Sequence, residues 1–414
     1  PHSPLPFFMK NELKFAACMW LLSRLVVITA MLLVAPALPA PSGGSTPNFG
    51  WGVFSAWDSV FYQQIATSGY EGDNVAFFPL FSLCIRALML LGLPAEVAGT
   101  LVNNLAFLGA LLLLSSWIAR QHGMNAARWS AAVLAWCPLS LFGTVVYTEG
   151  LYLLCSTATL RAFEFKQYAG VALWGTLATA TRPTGIAIVP ALVIAAWQER
   201  RQPIAYIASL AASSGLLLYS LYCRIYLGDW LAFGRAQQQW KRSLSFDVQG
   251  WWKMLMQIAI GNANWKSGII QDPLHPLLFM TIVVLGYCLW RWRSRFNPVK
   301  VGYGFCFLVL ALWLLAGDPL LNTVAVLGGI YLLWHLRHQL ASVAIAYGFC
   351  GLGLLLFSGS TSSLTRLVYG IVSLPIALGL LLSRYPRWGY VTLGFFTLLL
   401  VLFSIRFAQE LWIA

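Results

Sequence analysis

The stretch FFPLFSLCIRALMLLGL, residues 77–93, decides how this chain is threaded through a membrane. It is apolar enough to cross a bilayer, yet it carries Arg86 near its middle and can equally lie as a helix in the interface with that arginine on its polar side. Charge elsewhere separates the two readings. If the stretch does not span, then Arg120, Arg128, Arg161, Lys166, Arg200, Arg201, the Arg291–Lys300 cluster, Arg337, Arg384 and Arg387 all share a side with Lys10 and Lys14. By the positive-inside rule that side is cytoplasmic. If it does span, everything after it inverts, and the basic turn holding Arg291, Arg293, Arg295 and Lys300 faces outward against the rule. Residues 77–93 are therefore expected in the interface.

Composition makes the bilayer itself unavoidable. With 59% hydrophobic residues, 9% charged residues and a mean hydropathy of +0.73, the chain has too little polar surface to coat a water-soluble globule. Apolar runs of spanning length recur near residues 15–36, 97–118, 128–146, 149–163, 168–181, 183–198, 203–226, 274–290, 301–316, 319–334, 341–357, 366–383 and 389–408. The expectation is a single all-α polytopic membrane domain over residues 1–414 with about 11 to 13 transmembrane helices. The run at 15–36 is too long for a signal-peptide core and reads as a retained helix.

The 19 Trp and 16 Tyr suffice for belts at both interfaces. The excess of 26 Lys and Arg over 13 Asp and Glu falls mostly in short loops, which is the pattern of topology signals rather than of nucleic-acid binding. Eight cysteines lie scattered with no metal or disulfide spacing, so free, buried thiols and no metal site are expected.

Two longer polar segments remain on the outer, non-cytoplasmic side: a first loop over residues 37–96 and a second over 227–273. The first is acidic, with Asp58, Glu71 and Asp73. The second is basic, with Arg235, Lys241, Arg242, Lys253 and Lys266. Basic residues on the outer side run against the usual trend, and either a lipid phosphate bound there or a surface resting on anionic lipid accounts for them.

In SAWDSVFYQQIATSGY, Trp57, Val60, Phe61 and Ile65 recur at helical spacing, which predicts an amphipathic helix lying in the outer interface. Asp58 borders that stripe, one turn before Tyr62. A carboxylate held at the bilayer edge is partly desolvated and suited to take a proton from a hydroxyl; the plainer reading is a helix-start acid. Glu149, in VVYTEGLY, and Arg182, in TATRPTG, stand at outer turns, and Arg366 follows the polar stretch SGSTSSLT. Each is either functional by virtue of its depth or, more plainly, a helix-start acid or a cation reaching the headgroups. Arg24 lies inside the first span, where it is expected to snorkel or pair without a catalytic role. The topology gathers Asp58, Glu149, Arg182, Arg242 and Arg366 on one side, and an acid among arginines suits a hydroxyl attacking a phosphate-bearing donor.

The blocks WDSVFYQQIATSGY, AFFPLFSLCIRALMLLG, CPLSLFGTVVYTEGLYLL, ATATRPTGIAIVPAL, a looser QQQWKRS and SLTRLVYGIVSLPIAL, in this order, resemble the PIG-V-like mannosyltransferases of the GT-C superfamily, whose eukaryotic members act in GPI-anchor biosynthesis. The likeness is strongest from Trp57 to Pro190. It implies a GT-C fold, catalysis at the non-cytoplasmic face, a polyprenyl-phosphate (dolichyl-phosphate-type) mannose donor and inversion at the sugar carbon, with no cofactor. It further implies that Asp58 is the catalytic base and that Arg182, Arg242 and Arg366 stabilise the departing lipid phosphate. Glu149 then orients a sugar hydroxyl or an arginine, and Tyr62 and Gln239 complete the substrate site. A groove beside the interfacial helices is expected for the prenyl tail. Asp58 is followed by Ser59 and Val60 rather than by a second acid, which argues against a metal. The lack of large outer insertions looks like a bacterial relative in a plasma membrane rather than an enzyme of the ER membrane, and leaves a lipid-linked or glycan acceptor open. Transfer of another polyprenyl-phosphate-linked sugar is the alternative within the enzyme class. A lipid or sugar transporter or flippase is the alternative outside it, although no internal repeat accompanies it.

Overall fold

A computed structural model describes residues 7–47, 49–239 and 245–413. Among them the chain is all-α: no strand forms, and the only β pairing is an isolated bridge between Ser245 and Ser358. Helix is what the composition demands, because hydrocarbon offers backbone N–H and C=O groups no partner except each other.

Among the described residues six helices are long and apolar enough to cross a membrane: Asn11–Ala37, Ala95–Trp136, Pro203–Leu227, Leu274–Arg291, Pro298–Ala316 and Pro386–Ala408. Together with the composition they make this an integral membrane protein. The other expected spans are broken into shorter helices, among them Glu149–Glu164, Tyr168–Thr181, Ile188–Gln198, Ser342–Leu356 and Ser373–Arg384. The ambiguous stretch becomes the helix Pro79–Met89, whose 11 residues reach only about 16 Å and cannot cross a hydrocarbon core of about 30 Å.

Local chemistry explains where helices stop. Ala95–Trp136 is two helices joined at Gly123, whose φ of 83° a side chain would strain. Its second half ends at Trp136, short of the expected 146, because Pro138 follows and disfavours the helical conformation just before it; the chain continues as the 3-10 turn Pro138–Gly143. Of the eight free cysteines only Cys155 and Cys223 are buried and Cys18 is exposed, so the expectation of uniformly buried thiols is corrected.

The chain forms two compact units. The first comprises Pro1–Arg242, Tyr331–Leu355 and Arg366–Ile413. In it, buried Glu12 pairs with Arg128 at 2.9 Å and ties the first helix to the long one. Arg24 neither snorkels nor pairs with a carboxylate: it is 2% exposed. Its guanidinium donates to the Ala135 carbonyl at 3.2 Å, the Ser140 hydroxyl at 2.7 Å, the Thr144 hydroxyl at 2.8 Å and the Ser140 carbonyl. Phe107 lies under it, 4.9 Å from ring centre to guanidinium carbon. The Ala135 and Ser140 carbonyls flank the Pro138 break and the two hydroxyls lie in the turn after it, so Arg24 caps the place where the helix stops inside the membrane.

The second unit comprises Ser243–Ile330 and Leu356–Thr365. Leu274–Arg291 and Pro298–Ala316 pack as a hairpin, and Val248–Ile260 lies across one end. No residue of Leu274–Arg291 is buried, as befits an apolar helix whose neighbour is lipid.

Replacing Arg24 by Met is expected to destabilise the folded protein by about 3 kcal/mol, since several buried oxygens lose their donor together. Arg24→Lys recovers only part of this, because an ammonium cannot fork across both edges of the turn. Thermal unfolding in detergent measures both, and equal melting temperatures for Arg24→Met and wild type would remove this capping role.

Candidate active site

Asp58 opens the helix Asp58–Ser68, and the residue before it is bent out of the ordinary: Trp57 has φ 58° and ψ −120°, a conformation that costs a non-glycine residue energy and that tends to persist at functional sites. The turn places the Asp58 carboxylate at a helix N-terminus, where the dipole favours negative charge. Its backbone N–H donates to the Tyr147 hydroxyl at 3.2 Å.

The buried face of this helix is Ser59, Tyr62, Ile65 and Ala66. That differs from the apolar stripe expected at Trp57, Val60, Phe61 and Ile65: Trp57 and Val60 are 41% and 55% exposed. In a membrane protein the apolar face can be the one that meets lipid, so the hydrophobic stripe and the packed stripe need not coincide. The true packing turns Tyr62 inward, stacked edge-on against Phe77 and Phe81. Burial, and after it the Asp58 charge, holds the phenols of Tyr62 and Tyr147 above their ordinary range, so both are neutral hydroxyls.

Three further charged groups converge on Asp58. An Arg366 Nη donates to Asp58 Oδ2 at 2.6 Å, and the same guanidinium has its Nε 3.6 Å from Glu149 Oε1. Arg182 reaches Glu149 Oε1 from the other direction at 3.2 Å. The order Asp58, Arg366, Glu149, Arg182 is a chain of alternating charge that sums to zero. Glu149 is its buried centre, with a side chain 1% exposed against 17% for Asp58. Neither Glu149 oxygen makes a hydrogen bond among the described residues, so the two arginines are what offset its desolvation.

The local folding behind this arrangement is legible residue by residue. Arg182 stands in extended conformation at the end of Tyr168–Thr181, where Pro183 forbids another helical turn. Gly185 lets the following 3-10 turn lie against that helix, since a Cβ there would sit 2.6 Å from the Ala178 carbonyl oxygen. Arg182 spreads over the Tyr152 ring at 5.4 Å, and Tyr152 shares a 2.8 Å hydrogen bond with Tyr347. Arg366 lies over the rings of Tyr147 at 5.1 Å and Phe142 at 5.6 Å. Glu149 begins its helix, and Gly150 beside it is obligatory: a Cβ would fall 2.3 Å from the Asn103 carbonyl oxygen.

Asn103 and Tyr147 were not singled out from sequence. Asn103, fully buried, donates to the Phe142 and Val145 carbonyls at 2.6 and 2.7 Å and accepts from the Gly150 N–H at 2.7 Å, pinning the segment that carries Tyr147 and Glu149. A buried amide inside an apolar run was the available signal for it.

The remaining candidates separate from this cluster. Arg242 lies outside the described residues, and of Gln239 only its place at the end of the helix Ala232–Gln239 is described. Glu71 is spent as a cap on the 3-10 turn Gly72–Ala76, together with Asn74. In the basic segment Arg235 pairs with Asp229 at 2.8 Å, while Lys253 and Lys266 are exposed.

Beside the Asp58 helix lies a cavity of about 480 Å³ with an almost wholly apolar wall that includes Ile65, Leu80, Leu83, Leu177, Leu218 and Tyr222, with Arg86 on its lining.

Comparison with solved structures finds similar chains among membrane enzymes. The Archaeoglobus fulgidus oligosaccharyltransferase in its apo form is 10% identical, with a TM-score of 0.46 over 96% of this chain and 56% of that one. The AglB oligosaccharyltransferase of the same organism, in complex with an inhibitory peptide and a dolichol-phosphate, is 9% identical with a TM-score of 0.43, over 95% and 55% of the two chains. ArnT from Cupriavidus metallidurans bound to undecaprenyl phosphate is 12% identical with a TM-score of 0.40, over 92% and 78%. The chain thus spans about half the length of the archaeal enzymes. Among curated proteins none matches. Residues 24–218, which carry Asp58, Glu149, Arg182 and the Arg24 cap, match the family model described as Mannosyltransferase (PIG-V). Over those residues, a little under half of the chain, the sequence is similar to the PIG-V mannosyltransferase family.

Proposed function

We propose that the protein transfers mannose from a polyprenyl-phosphate donor to a hydroxyl of a lipid-linked or glycan acceptor, with inversion, at the non-cytoplasmic face of a bacterial plasma membrane. The observation that carries this reading is the Asp58–Arg366–Glu149–Arg182 chain, a partly open carboxylate in contact with buried arginines, most of it within the family-matched residues. The basic turn at Arg291–Arg295 supports the orientation, since it belongs to the cytoplasm by the positive-inside rule.

Asp58 takes the proton of the acceptor hydroxyl as the acceptor oxygen bonds to the anomeric carbon. The bond from that carbon to the phosphate oxygen breaks, and its electron pair leaves with the lipid phosphate. Arg366 and Arg182 hold the charge that develops there, planar guanidinium against phosphate. Glu149 holds both arginines in place rather than touching the sugar, because its carboxylate is enclosed between them. Arg242 supplies a further cation to the phosphate. The neutral hydroxyls of Tyr62 and Tyr147 offer hydrogen bonds without adding charge. The apolar cavity beside Ile65 accepts the prenyl tail, since its wall matches an isoprenoid chain and it adjoins the helix that carries Asp58.

With purified protein, radiolabelled mannosyl-phosphoryl-polyprenol and a panel of glycan and lipid acceptors, Asp58→Asn is expected to lower transfer about a thousandfold at unchanged folding. Transfer at the wild-type rate would remove Asp58 as the base. Arg366→Gln is expected to cost about a hundredfold in kcat, as for loss of one donor to a developing anion; a change confined to KM would assign Arg366 to ground-state binding alone. Glu149→Gln leaves the cluster with a net positive charge, so KM for the anionic donor should fall or hold while kcat drops at least about tenfold through misplaced arginines. A raised KM with normal kcat would sink the positioning role.

A further inference from the structure

The first unit carries a pair of arginines that no part of the reaction above uses. Arg120 lies just before Gly123, where the long helix Ala95–Trp136 breaks, and Arg161 lies in the last turn of Glu149–Glu164, which packs along it. Both guanidiniums rest on the ring of Phe165, with their carbons 5.6 Å and 5.2 Å from its centre. Phe165 begins the short turn into Tyr168–Thr181, and Lys166 follows it, exposed, with a φ of 58°. Three cations are thus gathered where two apolar helices end. Glu149 stands at the other end of the helix that carries Arg161, about 18 Å away, so this place is separate from the Asp58 cluster.

Two like charges on one ring need a reason. Neither guanidinium has an ion-pair or hydrogen-bond partner among the described residues, and Arg161 Nε is a buried donor without an acceptor. A ring attracts a cation through its face but does not replace an oxygen acceptor. A helix C-terminus favours a nearby cation, which accounts for a basic residue in the last turn. Other arginines near helix ends in this chain go further and donate to a carbonyl: Arg224 to Gly228 at 2.6 Å, Arg337 to Trp334 at 2.8 Å, and Arg201 to Phe163. Arg201 is also spent on Glu199 at 2.6 Å. Glu164, the acid nearest to Arg161 in sequence, interacts with Arg201, Glu199 and Gln121, while the charge that Arg161 meets is that of Arg120. Arg120 and Arg161 are therefore cations without an anion, held beside each other by an aromatic ring.

We infer that Arg120 and Arg161 bind the phosphate of an anionic lipid headgroup, with Lys166 at the adjoining turn. Planar guanidiniums match phosphate oxygens with paired N–H donors, and helix ends bring them to the level at which headgroup phosphates lie. A zwitterionic headgroup carries an ammonium that two arginines repel, so the site selects lipids without one. Leu173, in the helix that follows the turn, is 58% exposed and offers apolar surface to an acyl chain. With the orientation proposed above the lipid belongs to the cytoplasmic leaflet. The inference does not rest on the transferase reading, since none of its residues takes part in that reaction.

The test uses the full chain in nanodiscs of phosphatidylcholine doped with phosphatidylglycerol, with retained lipid identified by native mass spectrometry and melting temperature followed in parallel. Wild type is expected to retain phosphatidylglycerol over phosphatidylcholine and to melt higher as phosphatidylglycerol is added. Arg120→Gln and Arg161→Gln each weaken retention about tenfold, and Arg120→Lys and Arg161→Lys recover part of it, because an ammonium keeps the charge but not the fork. Arg200→Gln removes an exposed cation from the turn after Ile188–Gln198 and measures general attraction to an anionic surface; it is expected to change little. Unchanged phosphatidylglycerol retention in both Gln variants overturns the inference, as does an equal loss in Arg200→Gln. Where a Gln variant melts low in pure phosphatidylcholine, the Lys variants decide: reduced retention at wild-type melting temperature supports the site, and wild-type retention in both overturns it. Release of phosphatidylglycerol from wild type by an equimolar amount of glycerol phosphate would assign the arginines to a free phosphate and overturn the lipid, whereas persistence of the lipid supports it.

Discussion

The first unit is organised around one buried negative charge. Glu149 is 1% exposed, and both of the cations that reach it come from places where a helix is broken: Arg182 from the end of Tyr168–Thr181, Arg366 from the short helix Leu364–Tyr369. The desolvation cost of such a carboxylate, several kcal/mol even after relaxation, forces those breaks to converge. Arg366 then has a second acid to satisfy, and Asp58 occupies that side at 2.6 Å. Four segments that are distant in sequence are fixed to one another by the need to balance charge in a medium of low dielectric constant.

The same economy governs the breaks themselves. Three of the places where the helix stops have a polar side chain to cover them: Arg24 for the turn after Trp136, Asn103 for the segment before Gly150, and Tyr219 for the loop that enters Pro79–Met89, whose hydroxyl donates to the Val75 carbonyl at 2.7 Å. A reader of the sequence sees these residues as polar interruptions in apolar runs, which by default are functional hypotheses. Arg24 and Asn103 turn out to serve the backbone, and only through it the site.

That distinction marks where the sequence stops being legible. The all-α membrane class followed from composition, and Asp58, Glu149 and Arg182 stand at turns that recognisable motifs marked. The link from Asp58 to Arg366 crosses 308 residues and has no local signature. Nor did periodicity find the packed face of Asp58–Ser68: lipid rewards apolar residues on the outside as a core does on the inside, so Val60 looked internal, and Tyr62 was singled out as a site candidate but not as part of that packed face. Gly123 and Pro138 were visible as residues, but the length of helix on either side depends on what caps the break, and the cap is Arg24, from another helix.

A neutral cluster also has a kinetic meaning for the proposed reaction. Asp58 is held at 2.6 Å by Arg366, the same guanidinium that the proposed reaction turns toward the donor phosphate. A donor phosphate entering the site competes for the same guanidinium, and every ångström by which Arg366 turns toward it weakens the pair that restrains Asp58. Glu149, already 3.6 Å from Arg366 Nε, keeps the arginine anchored while this happens, so the guanidinium pivots instead of leaving. In the proposed reaction the placement of Asp58 and the contact to the phosphate are therefore linked, because both draw on Arg366.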